Sequence, residues 1–147
     1  MKKILMLACI PLAVACSSGH QEEQASQAHE VPGPPVPVAL RPLYDSVLAI
    51  HDNSAMPLMD PIMSSKMKIK GLYDSAQSIS EEDMVLLSQL EAANDSMMEW
   101  MHNFEAKYDG WPEDSVREYL QSEYARIYRI DEQMKAAVAK AKARLAQ

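Results

Sequence analysis

Nine of the eleven methionines in this 147-residue chain follow Cys16, and several stand at spacings that could build a soft-metal site. Met56, Met59, Met63 and Met67 fall within about 80° of one another around a helix. Farther along, Met97 and Met101 form one i,i+4 pair, and Met98 and His102 form another. Thioether and imidazole donors suit Cu(I), and residues 17–147 contain no cysteine to offer a thiolate instead. With the turn between the first two helices centred near residue 78, antiparallel partners carry numbers that sum to about 157. Met56 and Met59 then face Met101 and Met98, with His102 alongside. These five residues are the candidate Cu(I) ligands. A Met and a His on facing helices could also hold a non-covalent haem, whereas the absence of Cys-x-x-Cys-His excludes covalent attachment. The same residues have a plainer reading, because methionine fills irregular gaps in helical cores.

Other polar and aromatic residues carry less specific signals. Glu123 interrupts an apolar stripe, where it could pair with Asn94, orient a ligand or fix helix register. Trp111, beside Gly110 and Pro112, is placed to pack over the end of a bundle. Tyr119, Tyr124 and Tyr128 recur along one helix as an aromatic strip at the core boundary. His51-Asp52 reads as a solvated pair. After Cys16 there are four glycines, of which only Gly71 and Gly110 follow the proline-rich segment, so no glycine-rich phosphate loop is available. No Gly-x-Ser-x-Gly, His-Glu-x-x-His or paired-cysteine motif occurs, and the sequence points away from an enzyme.

The N-terminus predicts location. Lys2 and Lys3 precede the apolar run Ile4 to Leu12, and Ala13-Val14-Ala15 leads into Cys16, as at a lipoprotein signal-peptidase cut. Residues 1–15 are the expected signal peptide. Cys16 becomes the lipidated first residue, and its acyl chains, at ~0.8 kcal/mol per buried CH₂, anchor the protein to a membrane. Losing Lys2 and Lys3 leaves 12 basic and 21 acidic groups, a charge of −9, which argues against nucleic-acid partners. Residues 17–30 are polar, and residues 31–42 hold five prolines, so 16–41 reads as an extended tether.

From residue 42 onward the pattern is helical. A first helix spans about 42–76, with Pro57 and Pro61 bending or splitting it. The second spans 81–109, capped by Ser80, acidic in its first turn, and ended by Gly110. Its stripe reads Leu87, Leu90, Met97, Met101, Phe104, Tyr108. The third, 113–146, carries Val116, Leu120, Glu123, Ile127, Ile130, Met134, Ala137 and Ala141 on one face. Short connections predict an all-α, antiparallel up-down-up three-helix bundle, with a dimerising helical hairpin as the alternative.

Two segments, His51-Asp52 with Met56-Pro57-Leu58-Met59, and Asp95 to Phe104 with its Trp100-Met101-His102-Asn103 centre, resemble a family of small helical lipoproteins of Bacteroidota. Its members often carry the label "viral A-type inclusion protein". The resemblance implies fold and localisation, namely an outer-membrane lipoprotein with a helical domain, and no activity. That family's pattern has His four residues before Met-Pro, whereas His51 and Met56 are five apart. In a regular α-helix the extra residue turns His51 about 140° away from Met56 unless a π-bulge intervenes. The expected function is a non-catalytic binding or structural module of the envelope, acting on a protein partner or a second copy, with Cu(I) binding as the alternative.

Overall fold

A computed structural model describes residues 36–73 and 78–147. The expected signal peptide, Cys16 and most of the expected tether lie outside the described residues. All regular structure among the described residues is helical. α1 (Arg41–Ile50) runs into a π-helical turn (His51–Ala55), then a 3-10 turn (Met56–Leu58), then α2 (Met59–Gly71). α3 (Glu81–Asn103) and α4 (Glu113–Leu145) complete three layers, the first of them broken. No helix among the described residues is long and apolar enough to cross a membrane.

Side-chain pairs give the directions. α3 and α4 are antiparallel, because bonded partners keep a nearly constant sum: 229 for Gln89–Lys140, 227 for Asp83–Arg144 and 225 for Glu99–Arg126. α2 and α3 are antiparallel at the expected register, with Lys66–Glu91 (2.8 Å) summing to 157. α4 is the spine, packing against α1, α2 and α3. All eight residues of its predicted stripe are buried, Glu123 included.

Three expected boundaries change. The folded part reaches back to Val36, which with Leu40 is buried against Tyr44, Tyr108, Val116 and Leu120, so residues 36–41 belong to the bundle and not to the tether. The first helix is not continuous from 42 to 76. Pro57 and Pro61 lack the N–H groups an unbroken α-helix needs, and the chain answers with a π turn and a 3-10 turn. The second helix ends at Asn103, not 109. There Phe104 leaves helical geometry (ψ 116°), and the extended segment brings Tyr108 inward against Tyr44 and Tyr119. Gly110 therefore caps no helix. It sits at φ 79° in the turn closed by Trp111 N–H donating to the Tyr108 carbonyl, where a left-handed residue is required.

The far end is closed by a charge cluster. Ser80 caps α3 by accepting from Asp83 N–H at 3.1 Å. Asp83 itself is fully buried and accepts from Arg144 through both Nε (2.9 Å) and Nη2 (3.0 Å), and from the Tyr73 hydroxyl. The Tyr73 bond, followed by Arg144, holds the Asp83 carboxyl below its ordinary range against the opposing effect of burial.

Candidate functional site

The helical break at 51–58 is where chemistry gathers. A π turn donates from residue i+5 to residue i, and here Met56 N–H donates to the His51 carbonyl. That bond brings His51 and Met56 toward one face, reducing the 140° rotation an α-helix would impose. Ser54 in the same turn donates to Asp131 Oδ1 of α4 at 2.7 Å, and Asp131 is buried and also paired with Lys135 at 2.6 Å. The turn is thus pinned to the spine.

His51 points inward, and its ring lies 5.3 Å from that of Trp100, at 33°. The two sequence segments that carry the family resemblance meet at this contact. His51 Nδ1 lies 2.6 Å from Asp52 Oδ1. An Nδ1–H donating to that carboxylate leaves Nε2 with the lone pair, and Nε2 is buried without a hydrogen-bond partner. Trp100 is 2 % exposed and stacks on Phe104 at 4.7 Å, and its indole N–H is also buried and unpartnered. Beyond Phe104 the rings continue through Tyr44, Tyr119 and Tyr108, with Trp111 edge-on to the last two as expected of a residue covering the bundle end. Burial raises the Tyr44, Tyr108 and Tyr119 phenols above their ordinary value. Glu123, 8 % exposed, faces the same region with one unpartnered oxygen, while Asn94 bonds Asp95 and not Glu123.

The five expected ligands are divided by this arrangement. Met59 and Met101 are half-buried and pack against the core that contains Trp100. Met56 is 39 % exposed beside the π turn. Met98, 51 % exposed, and His102 lie on the solvent side of α3. On α3 the buried face of Leu90, Ala93, Met97 and Trp100 turns Met98 and His102 outward, and on the facing segment the register shifts as well. Partner sums of 157 at Lys66–Glu91 fall to 151 at His51–Trp100, because the broken segment does not advance like an α-helix. Nor is the Met56–Met67 stripe a core stripe, since Met63 and Met67 are exposed and Ile62 and Ile69 fill the core instead. The core methionines are Met97 and Met134. The residues that sequence reasoning left out of the site are His51, read there as a solvated pair with Asp52, and Trp100. The signal for them was the extra residue between His51 and Met56 beside two prolines. Among the described residues, no three His, Cys, Asp or Glu side chains come together as a metal-binding group.

A second feature lies on the face of α3 and α4 turned away from α2. Three adjoining hollows form one groove along both helices, sharing Gln89 and Lys140 at one junction and Ser96 and Gln133 at the other. The small residues Ala92, Ala93, Ala136 and Ala137 line its middle. α3 supplies acids along it (Glu81, Glu82, Glu99) and α4 supplies bases (Arg126, Arg129, Lys140).

No protein-family model, curated protein or solved structure matches the chain.

Proposed function

We propose that this protein is a lipid-anchored component of the cell envelope, held in the outer membrane through Cys16, whose helical domain is a non-catalytic interaction module. The observation that carries the reading is the α3–α4 groove with its acidic and basic edges. Its occupant is a second copy of the chain. A two-fold axis parallel to the helices lays the α3 edge of one copy on the α4 edge of the other at the same height. Glu81 and Glu82 then meet Lys140 of the other copy, and Glu99, bonded to Arg126 of its own chain, meets Arg129 of the other, so one charge pattern complements itself. The alanines along the middle let the backbones approach. The lipoprotein-like N-terminus and the resemblance to helical lipoproteins support the location.

Two measurements test this. The mass of protein extracted from membranes should include acyl chains on Cys16, and Cys16→Ser should release the protein to the soluble fraction. Sedimentation equilibrium of the full chain should give a dimer, weakened by salt. Ala136→Arg, at an exposed position, should give a folded monomer. A parent that stays monomeric at every attainable concentration overturns the dimer, and an unmodified Cys16 overturns the anchor.

A further inference from the structure

We propose that the Nε2 atom of His51 and the thioethers of Met56 and Met101 form a binding site for a soft monovalent metal ion, Cu(I) or its analogue Ag(I), against the ring of Trp100. This goes beyond the docking function and does not depend on it.

Four observations converge. Nε2 of His51 is buried and has no hydrogen-bond partner, while Asp52 holds the other ring nitrogen, the arrangement that prepares an imidazole for a metal. Buried polar atoms are almost always satisfied, so an unpartnered imidazole nitrogen calls for a ligand. The π-helical bond from Met56 N–H to the His51 carbonyl brings the Met56 side chain toward the face of His51. The exposure of Met56 leaves an ion a way in. Met101 follows Trp100 in sequence and packs, half-buried, on the same core. The Trp100 ring lies 5.3 Å from the His51 ring at 33°, so its emission reports an ion bound at Nε2.

The donor set chooses the ion. Two thioethers and one imidazole suit a d¹⁰ monovalent ion of low coordination number and serve Mg²⁺, Ca²⁺ or Zn²⁺ poorly. The described residues offer no cluster of three His, Asp or Glu side chains to hold those harder cations. Of the five residues expected on sequence the site keeps Met56 and Met101, leaves out Met59 and the outward-facing Met98 and His102, and adds His51 beside Trp100.

The test is a titration of the full-length chain with Cu(I) under reducing conditions, in competition with a chromophoric Cu(I) chelator. Trp111→Phe serves as the background, so that tryptophan emission reports Trp100 alone. One equivalent should bind and quench that emission. Met56→Leu, at an exposed position, and His51→Gln should each weaken binding at least tenfold with the helical circular-dichroism signal unchanged. The Met98→Leu, His102→Gln double variant should bind as the parent does. The proposal is overturned by absence of one-to-one binding, by binding that leaves Trp100 emission untouched, by Met56→Leu retaining parental affinity, or by loss confined to the Met98, His102 variant.

Discussion

Trp100 sets two opposing energies against each other, and two substitutions separate them. The indole is 2 % exposed, stacks 4.7 Å from Phe104 and lies 5.3 Å from His51. Truncating a buried aromatic to alanine costs about 3–5 kcal/mol. Two ring contacts, each worth ~0.5–1.5 kcal/mol beyond buried area, place Trp100→Ala near the top of that range. Trp100→Phe keeps a six-membered ring between His51 and Phe104 and loses roughly 1–2 kcal/mol of burial and packing. It also removes an N–H that is buried without an acceptor, a burden of about 1–3 kcal/mol. The two terms nearly cancel, so Trp100→Phe should lie within about 1 kcal/mol of the parent. Guanidinium unfolding followed by far-ultraviolet circular dichroism measures both differences. Against a total stability of ~5–15 kcal/mol, Trp100→Ala should be close to unfolded or strongly shifted while Trp100→Phe is not. A Trp100→Phe protein as damaged as Trp100→Ala would refute the reasoning. It would mean that the indole N–H has a strong acceptor.

Four further outcomes are expected. The Asp83 carboxyl, lowered first by Tyr73 and then by Arg144, contributes stability that is complete above the ordinary carboxylate value of 3.8 and is lost as pH falls through the lower folded value. Melting temperature against pH should therefore drop in the acid limb, and Asp83→Asn should start lower and flatten that limb. Tyr44, Tyr108 and Tyr119, raised by burial, contribute stability that is complete below the ordinary phenol value of 10.0 and is lost as pH rises through the higher folded values. Ultraviolet titration should show these three of the six tyrosines ionising only as alkali unfolds the protein, and reversible early ionisation of all six would contradict their burial. At Gly110 an added Cβ meets nothing within 4 Å, so Gly110→Ala should cost about 1 kcal/mol from φ 79° alone. In α2, where a Cβ at Gly71 also has open space, Gly71→Ala should stabilise by up to about 1 kcal/mol in thermal melts.

What the sequence by itself determined was local and periodic. Ser80 with three acids after it started α3 where a cap must start it, and the α4 stripe from Val116 to Ala141 named a buried face residue by residue. The register of α2 on α3 also followed, because a short turn leaves antiparallel helices little freedom, and Lys66–Glu91 meets at the expected sum. Tertiary structure decided the rest. Phe104 and Tyr108 keep a helical spacing in sequence, yet the aromatic cluster with Tyr44 and Tyr119 takes them inward from an extended segment and ends α3 early. The prolines at 57 and 61 announced a break but not its form. Whether the chain kinks, splits or inserts a π turn depends on what holds the freed backbone, here Ser54 on Asp131 of α4, seventy-seven residues away. That choice turned His51 toward Trp100, while Met98 and His102 stay outside because α3 buries Leu90, Ala93, Met97 and Trp100. Helical periodicity assigns faces only while each residue advances the same angle, and at 51–58 packing against a distant helix changes the angle.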